Sequence, residues 1–282
     1  MSGYVGIDAG GTLIKIVYRS NGSEKELMKF TAEELDSAAS WVRKNIPLDA
    51  RIGFTGGRGN RLRDLLPEYA SAVEIPEFEA TAEGAVRIMQ REAGGQKAAT
   101  ERWVLVNVGT GTSLHVIEGA ERLRLGGIGL GGGTIVGLTG MLCGLRDYDE
   151  IVRLAPLGSR EAVDLTVGQI YAPAPPPIAG DLTAANFARQ TAPESSVLPQ
   201  DYAAAVIGMV AELVVTVGVQ AAKLEQTTKV VYVGSSYENN ALLHELTFRF
   251  TKMLGGTAVI PSLGAYSGAI GALHKAAEHF KG

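Results

Sequence analysis

Four short segments of this 282-residue chain hold residue types at spacings that suit phosphate chemistry. The first is Asp8-Ala9-Gly10-Gly11-Thr12-Leu13-Ile14-Lys15. Two glycines let a turn take up positive φ and approach a ligand closely, Thr12 adds a hydroxyl beside its backbone N–H, and Asp8 puts a carboxylate at a strand end. Such a turn, with Lys15 beyond it, can hold the β- and γ-phosphates of a nucleotide. Asp8 would anchor Mg²⁺ through water, because that ion keeps much of its hydration shell. The second segment, Asn107-Val108-Gly109-Thr110-Gly111-Thr112-Ser113, repeats this chemistry. An Asx-type turn would account for one copy, but two copies in matching positions suggest the opposing walls of a phosphate clamp.

The third segment is Gly127-Ile128-Gly129-Leu130-Gly131-Gly132-Gly133, a literal G-x-G-x-x-G. A dinucleotide fingerprint also needs a parallel strand ending in an acid about 20 residues on. That place falls in Leu145-Arg146-Asp147-Tyr148-Asp149-Glu150, which reads as helix or loop. The glycines, Gly129 and Gly131 to Gly133 in particular, are therefore expected to lead into a helix N-terminus with backbone donors for phosphate. The fourth segment, Gly234-Ser235-Ser236 followed by Asn239 and Asn240, suits an adenosine pocket or a plain strand-to-helix turn with polar caps. Glu74, Glu77, Glu79 and Glu83 are candidates for a general base. Spacing does not choose among them, although Glu79 and Glu83 are expected on one exposed helix face. His115, His244, His274 and His279 share no metal-ligand spacing and read as surface or capping residues.

The elements that must carry these segments follow from pattern. Residues 4–8 and 13–19 read as strands joined by four residues, too few for a crossover helix, so they form an antiparallel hairpin. That excludes a P-loop, which needs a helix after the loop. A helix is expected over residues 31–44, a strand over 51–54 and a helix over 79–92, followed by a polar joint at 94–100. The second half restarts the theme with strands at 103–108, 113–118 and 122–125, a helix from about residue 134, a strand at 230–233 and helices near 240 and from about 264. The reading is a duplicated α/β design, with lobes at 1–98 and 99–282. Residues 203–224 are long enough to span a bilayer, but Glu212, Thr216 and Gln220 recur every four residues and make the segment a buried amphipathic helix.

Composition narrows the class. The formal net charge is -4 and no Lys/Arg cluster is large enough for a nucleic acid or an anionic membrane. Glycine is 36 of 282 residues, nearly double the usual level of about 7%. The single cysteine, Cys143, cannot make an internal disulfide or a thiolate metal site, and the chain opens without a signal-peptide pattern, so cytoplasmic residence is expected.

Taken in chain order, these segments and the small-residue run Gly264-Ala265-Tyr266-Ser267-Gly268-Ala269-Ile270-Gly271 resemble the actin, Hsp70 and hexokinase nucleotide-binding superfamily. Within it the chain most resembles type II pantothenate kinases of the staphylococcal and bacillus kind. The residues from Gly6 to Val17 and Asn107 to His115, with Gly126-Gly127-Ile128-Gly129 and Gly180-Asp181-Leu182-Thr183-Ala184-Ala185-Asn186-Phe187, carry that likeness. The resemblance implies a ribonuclease-H-like pair of α/β lobes around a nucleotide cleft. It also implies a homodimer, and ATP- and Mg²⁺-dependent phosphorylation of pantothenate, the first step toward coenzyme A. By motif it assigns the catalytic carboxylate to Glu77, the pantothenate-contacting arginine to Arg124 and a substrate-side threonine to Thr110. The family's tyrosine before the Gly-Ala-aromatic segment, which reaches the partner's substrate pocket, is replaced here by Val259-Ile260-Pro261-Ser262-Leu263. The competing readings are a sugar or amino-sugar kinase of the same superfamily, or an ATP-operated binding module. The first fits an anion-seeking Arg124 less well. The second, as a dehydratase activator, lacks cysteines for a cluster.

Overall fold

The computed structural model describes residues 3–20, 23–69, 71–92, 101–189 and 197–280. Strands β1 (Tyr4–Ala9), β2 (Leu13–Ser20), β3 (Ser23–Thr31), β4 (Arg51–Thr55) and β5 (Val73–Glu74) form a sheet in the order β3-β2-β1-β4-β5. Strands β6 (Arg102–Val108), β7 (Thr112–Glu118), β8 (Glu121–Ile128), β11 (Lys229–Val233) and β12 (Thr257–Val259) form a second, in the order β8-β7-β6-β11-β12. In each, the first three strands are an antiparallel meander and the last two run parallel to the first strand. The duplicated mixed sheet expected from the sequence is present. A two-stranded sheet of β9 (Leu165–Thr166) and β10 (Thr183–Ala185), with the short helix α6 (Val167–Tyr171) between them in the chain, lies in the long excursion before the last helices.

Strand β3 was not expected from the sequence, and the helix expected over residues 31–44 is α1 (Leu35–Asn45). The segment 23–31 is an outer strand pairing only with β2. Among its described side chains, Met28 and Phe30 pack on the core, and its charged sequence hides the alternation. The short helix α2 (Gly59–Asp64) follows β4. The lobe boundary at 98/99 and the joint at 94–100 lie outside the described residues.

The helices that pack on the sheets do not follow the order of the chain. Helix α1 covers one face of the first sheet with Ala38, Ala39 and Val42. The other face receives α9 (Ser267–His279), the last helix of the chain. It lies directly on the strands because Gly6 and Gly53 are paired in register beneath it: a Cβ on either would come 1.9 Å from the Ala269 carbonyl or 2.3 Å from that of Ala272. Helix α3 (Glu77–Glu92) instead packs Ala82, Ala85, Val86 and Met89 on Trp103, Leu105, Val231 and Val233 of the second sheet. Helices α3 and α9 cross at Gly84 and Gly271, where an added Cβ would meet the partner helix's backbone at 1.8 and 1.7 Å. This crossing ties the two halves together and fixes the N-terminus of α3 between them.

The remaining face of the second sheet is covered by α7 (Pro199–Leu224) and α8 (Ala241–Met253), with α4 (Gly132–Cys143) and α5 (Tyr148–Leu154) packed beside α7. Helix α7 is long and apolar enough to cross a membrane, yet 67% of its most apolar window is buried against this core. Thr216 and Gln220 are exposed and Glu212 is half-buried, as the four-residue polar spacing requires.

Candidate active site between two glycine turns

The hairpin turn between β1 and β2 closes through Gly10 N–H donating to the Leu13 carbonyl, 3.0 Å, and that between β6 and β7 through Gly109 N–H donating to Gly111, 2.9 Å. The two turns face one another. Thr12 Oγ1 and Thr110 Oγ1 are 3.0 Å apart, and a Cβ on Gly11 would stand 3.3 Å from the Thr110 hydroxyl. Behind each turn a glycine with positive φ, Gly56 (87°) after β4 and Gly234 (108°) after β11, presses on the strand end. A side chain there would meet the Ala9 carbonyl at 2.5 Å or the Val108 carbonyl at 2.4 Å.

The turns open onto a cleft of about 700 Å³. Its walls include Gly11, Thr12, Lys29, Thr31 and Arg58 from the first half, and Gly109, Thr110, Gly132, Gly133, Val136, Tyr148, Ser235 and Ser236 from the second. Lys29 and Glu238 span it with an ion pair of 3.0 Å. Of the residues expected to bind phosphate, Asp8, Gly10, Lys15, Gly111, Thr112, Gly129, Gly131 and Gly234 do not line this cleft. Lys15 is 7% exposed and faces Asp8 across the β1–β2 ladder, its pKa lowered by burial.

The backbone donors expected at the start of α4 are already engaged. Gly132 N–H donates to Gly109 (2.8 Å) and Gly133 N–H to Thr110 (3.0 Å). Thr112 Oγ1 donates to Leu130 (2.6 Å), and Ser236 Oγ to Gly109 (3.0 Å). The glycine cluster therefore braces the second turn from behind, with Gly131 wedged so that a Cβ would touch three of its carbonyls at 2.7–2.9 Å. At the place where a dinucleotide site needs a parallel strand, the element after α4 is the helix α5. Asp147 instead caps α5, accepting from Glu150 N–H at 2.8 Å. Tyr148 ties α5 to the loop after β11: its hydroxyl donates to the Ser236 carbonyl (2.5 Å) and accepts from Asn240 Nδ2 (3.0 Å). Burial pushes this phenol up to about 12. Asn240 also caps α8 by accepting from Leu243 N–H, 3.0 Å. The loop thus serves both as a cleft wall and as a helix cap.

Tertiary partners separate the four glutamates. Glu83 is buried, paired with Arg87 at 2.5 Å and with Arg122, which corrects the exposed face expected for it. Helix α3 is covered by both α9 and the second sheet, so little of it remains exposed. Glu79 pairs with Lys275 (2.7 Å) and Glu74 accepts from Asn60 Nδ2 (3.3 Å). Among the described residues, Glu77 alone of the four makes no hydrogen bond or ion pair. Its pKa is raised, first by desolvation and then by the nearby Asp8 carboxylate. Asp8 itself lies between Gly56 and Gly268, where a Cβ would come within 2.7 and 2.4 Å of its oxygens, and burial raises its pKa against the opposing pull of Lys15.

Arg124 stands next to the Glu77 turn. Its guanidinium lies 4.7 Å from the centre of the Phe78 ring, which is tilted against His115 at 5.6 Å. A β-bulge makes this possible. Leu114 pairs with Gly126 but His115 with Arg124, so Leu125 is extra and Arg124 comes to the face that looks at α3. His115, expected at the surface, is 2% exposed, and burial followed by the Arg124 charge lowers its pKa to about 4. Sequence reasoning missed Phe78, Lys29, Arg58 and Tyr148, whose roles come from non-local contacts. Tyr148 and Phe78 lay in segments already singled out, without a role. The Gly180–Phe187 motif lies away from the cleft and clasps α7: Thr183 and Asn186 reach Glu212, and Phe187 N–H donates to Asp164 at 2.9 Å.

Comparisons with known proteins first define the class. The chain matches the solved structure of a ROK family glucokinase from Streptomyces griseus in complex with glucose and AMPPNP, at TM-score 0.58, 14% identity and coverage of 98% and 100% of the two chains. It also matches component A of (R)-2-hydroxyglutaryl-CoA dehydratase from Acidaminococcus fermentans, at TM-score 0.57, 15% identity and coverage of 98% and 100%. The fold is the two-lobed actin/hexokinase type expected from the sequence. The family follows from closer relatives. The Fumble family model matches residues 87–275. Type II pantothenate kinases from Bacillus thuringiensis (38% identical over 97% of both chains) and Staphylococcus aureus (39% identical over 96% of this chain and 98% of that one) align nearly end to end. This chain belongs to the type II pantothenate kinase family.

Proposed function

We infer that this protein transfers the γ-phosphoryl group of ATP to the primary hydroxyl of pantothenate, giving 4′-phosphopantothenate for coenzyme A synthesis. The contact between Thr12 and Thr110 at the mouth of a nucleotide-sized cleft carries this reading. Phosphoryl transfer depends mainly on positioning and on neutralising charge. Gly11, Thr12, Gly109 and Thr110 would grip the phosphate tail, while Ser235, Ser236 and Tyr148 wall the nucleoside end. Glu77 would accept the hydroxyl proton as transfer proceeds. Its unpaired, partly desolvated carboxylate suits a base, because a raised pKa gives it more affinity for the proton. Arg124, with no hydrogen bond or ion pair among the described residues, would bind the pantothenate carboxylate through its planar fork.

The donor set fits magnesium. Among the described residues no cluster of three or more acids, histidines or cysteines could form a protein cage. An ion that takes ligands from phosphate and water needs no such cage. Asp8 is a carboxylate whose burial is only partly offset by Lys15, so a nearby cation would be welcome. Bound there through water, Mg²⁺ would neutralise charge on the phosphate oxygens. A cytoplasmic homodimer completes the reading and rests on the family.

The test is a coupled ADP-release assay with pantothenate and a panel of hexoses. Turnover with pantothenate alone is expected. Turnover only with a sugar, or nucleotide binding without any acceptor dependence, would overturn the assignment.

A further inference from the structure

Arg124 has an unusual support. Nothing among the described residues hydrogen-bonds it or pairs with its charge, yet the guanidinium is hemmed in on two sides. The Phe78 ring lies 4.7 Å away, and beyond the bulge Gly127 leaves it room: a Cβ there would come 3.1 Å from Arg124 Nη2. Phe78 is itself 44% exposed, so its ring is not spent in the core and is open to the guanidinium. It is backed by His115, which stays uncharged near neutral pH and so does not repel the arginine. Phe78 also directly follows Glu77, in the first turn of α3. The same helical turn thus carries the candidate base and the platform under the candidate substrate anchor.

We propose that Phe78 is a positioning residue that holds Arg124 by cation–π contact, leaving all five guanidinium donors free for the acceptor's carboxylate and setting the preference for an anionic acceptor. A carboxylate partner from the protein would orient the arginine equally well, but it would neutralise the charge and occupy the donors the substrate needs. An aromatic face orients the cation and leaves its edge free. Because Phe78 and Glu77 are adjacent, the distance between the anchored carboxylate end of the substrate and the base is fixed by one turn of helix.

This inference rests on pantothenate as the acceptor. Its test compares the wild type, Phe78→Leu, Phe78→Tyr and Arg124→Ala with pantothenate and with a neutral analogue carrying an alcohol in place of the carboxylate. Phe78→Leu is expected to raise KM for pantothenate roughly fivefold, the scale of a lost exposed cation–π contact, with a much smaller change in KM for ATP and in kcat. The preference for the acid over the neutral analogue should shrink by a similar factor. Phe78→Tyr, which keeps the ring, should retain the wild-type preference, and in an Arg124→Ala background Phe78→Leu should add less than about twofold, since the two act as one unit. If Phe78→Leu does not fold, Phe78→Met probes the same contact with a similar volume. A Phe78→Leu or Phe78→Met enzyme with the wild-type KM and acid preference would overturn the proposal while the pantothenate assignment stands. A wild type inactive on pantothenate would overturn the assignment itself.

Discussion

The two halves of the molecule share a frame and differ in charge at equivalent points of it. Asp8 faces Lys15 across the first hairpin, and Asn107 faces Ser113 at the same position of the second. Gly56 presses on Asp8 and Gly234 on Asn107 in the same way, each with positive φ. Two residues along the hairpin, Val17 opposite Gly6 lies in the core beneath α9, whereas His115 opposite Leu105 supports Phe78. The helices after the two sheets diverge as well. Helix α3 begins with Glu77 and Phe78, while α9 begins with Ser267 and Gly268, small enough to admit the Asp8 carboxylate. One frame, used twice, thus yields an acidic side suited to metal and proton transfer, and a neutral, glycine-braced side suited to gripping phosphate.

Changes that erase this asymmetry should cost most where they touch the reaction. Glu77→Gln is expected to lower kcat roughly 10² to 10⁴-fold, the usual worth of a positioned base. A circular-dichroism melt should match the wild type, because Glu77 has no hydrogen-bond or ion-pair partner among the described residues to lose. In the wild type, protonating Glu77 removes the base, so kcat/KM should rise with pH through a limb above the usual carboxylate range. A limb at an unperturbed carboxylate value would argue against Glu77. Asp8→Asn makes the first half resemble the second and should lower kcat roughly 10² to 10³-fold and raise the Mg²⁺ concentration needed for half-maximal rate. Its thermal stability should fall, because Lys15, buried opposite it, loses the carboxylate that favours its charge. A smaller effect concerns the other half. The folded pKa of His115 is about 4, against 6.5 for an unperturbed histidine. Between those values the unfolded chain binds a proton that the folded chain refuses, so stability should decline as pH falls across this window. Denaturant titrations of His115→Gln over the same range should show a shallower decline. Smallest of all, Lys29→Ala breaks an exposed ion pair across the cleft and should change unfolding free energy by less than about 1 kcal/mol.

Much of this frame was legible in the sequence, because its strongest signals are local. Four residues between two apolar runs force a hairpin, and the second Gly/Thr turn announces the duplication. The charged strand at 23–31 was not legible, since charged residues interrupt the alternation that Met28 and Phe30 carry into the core. Nor could spacing choose Glu77 from its three neighbours. Apart from Arg87, one helical turn from Glu83, their partners, Arg122, Lys275 and Asn60, are 14 to 196 residues away along the chain. The bulge that turns Arg124 toward α3 likewise leaves no mark in composition, and a G-x-G-x-x-G read as a source of phosphate donors proved to be a brace whose donors are spent on the adjoining turn.

The central claim is that the facing turns grip the phosphate tail of the nucleotide. Isothermal titration of AMPPNP and of adenosine into the wild type and a Thr12→Val, Thr110→Val double variant tests it most directly. Loss of two hydroxyl hydrogen bonds should weaken AMPPNP roughly ten- to a hundredfold and leave adenosine nearly unchanged. Equal affinity of wild type and double variant for AMPPNP, or an equal loss for both ligands, would contradict the account.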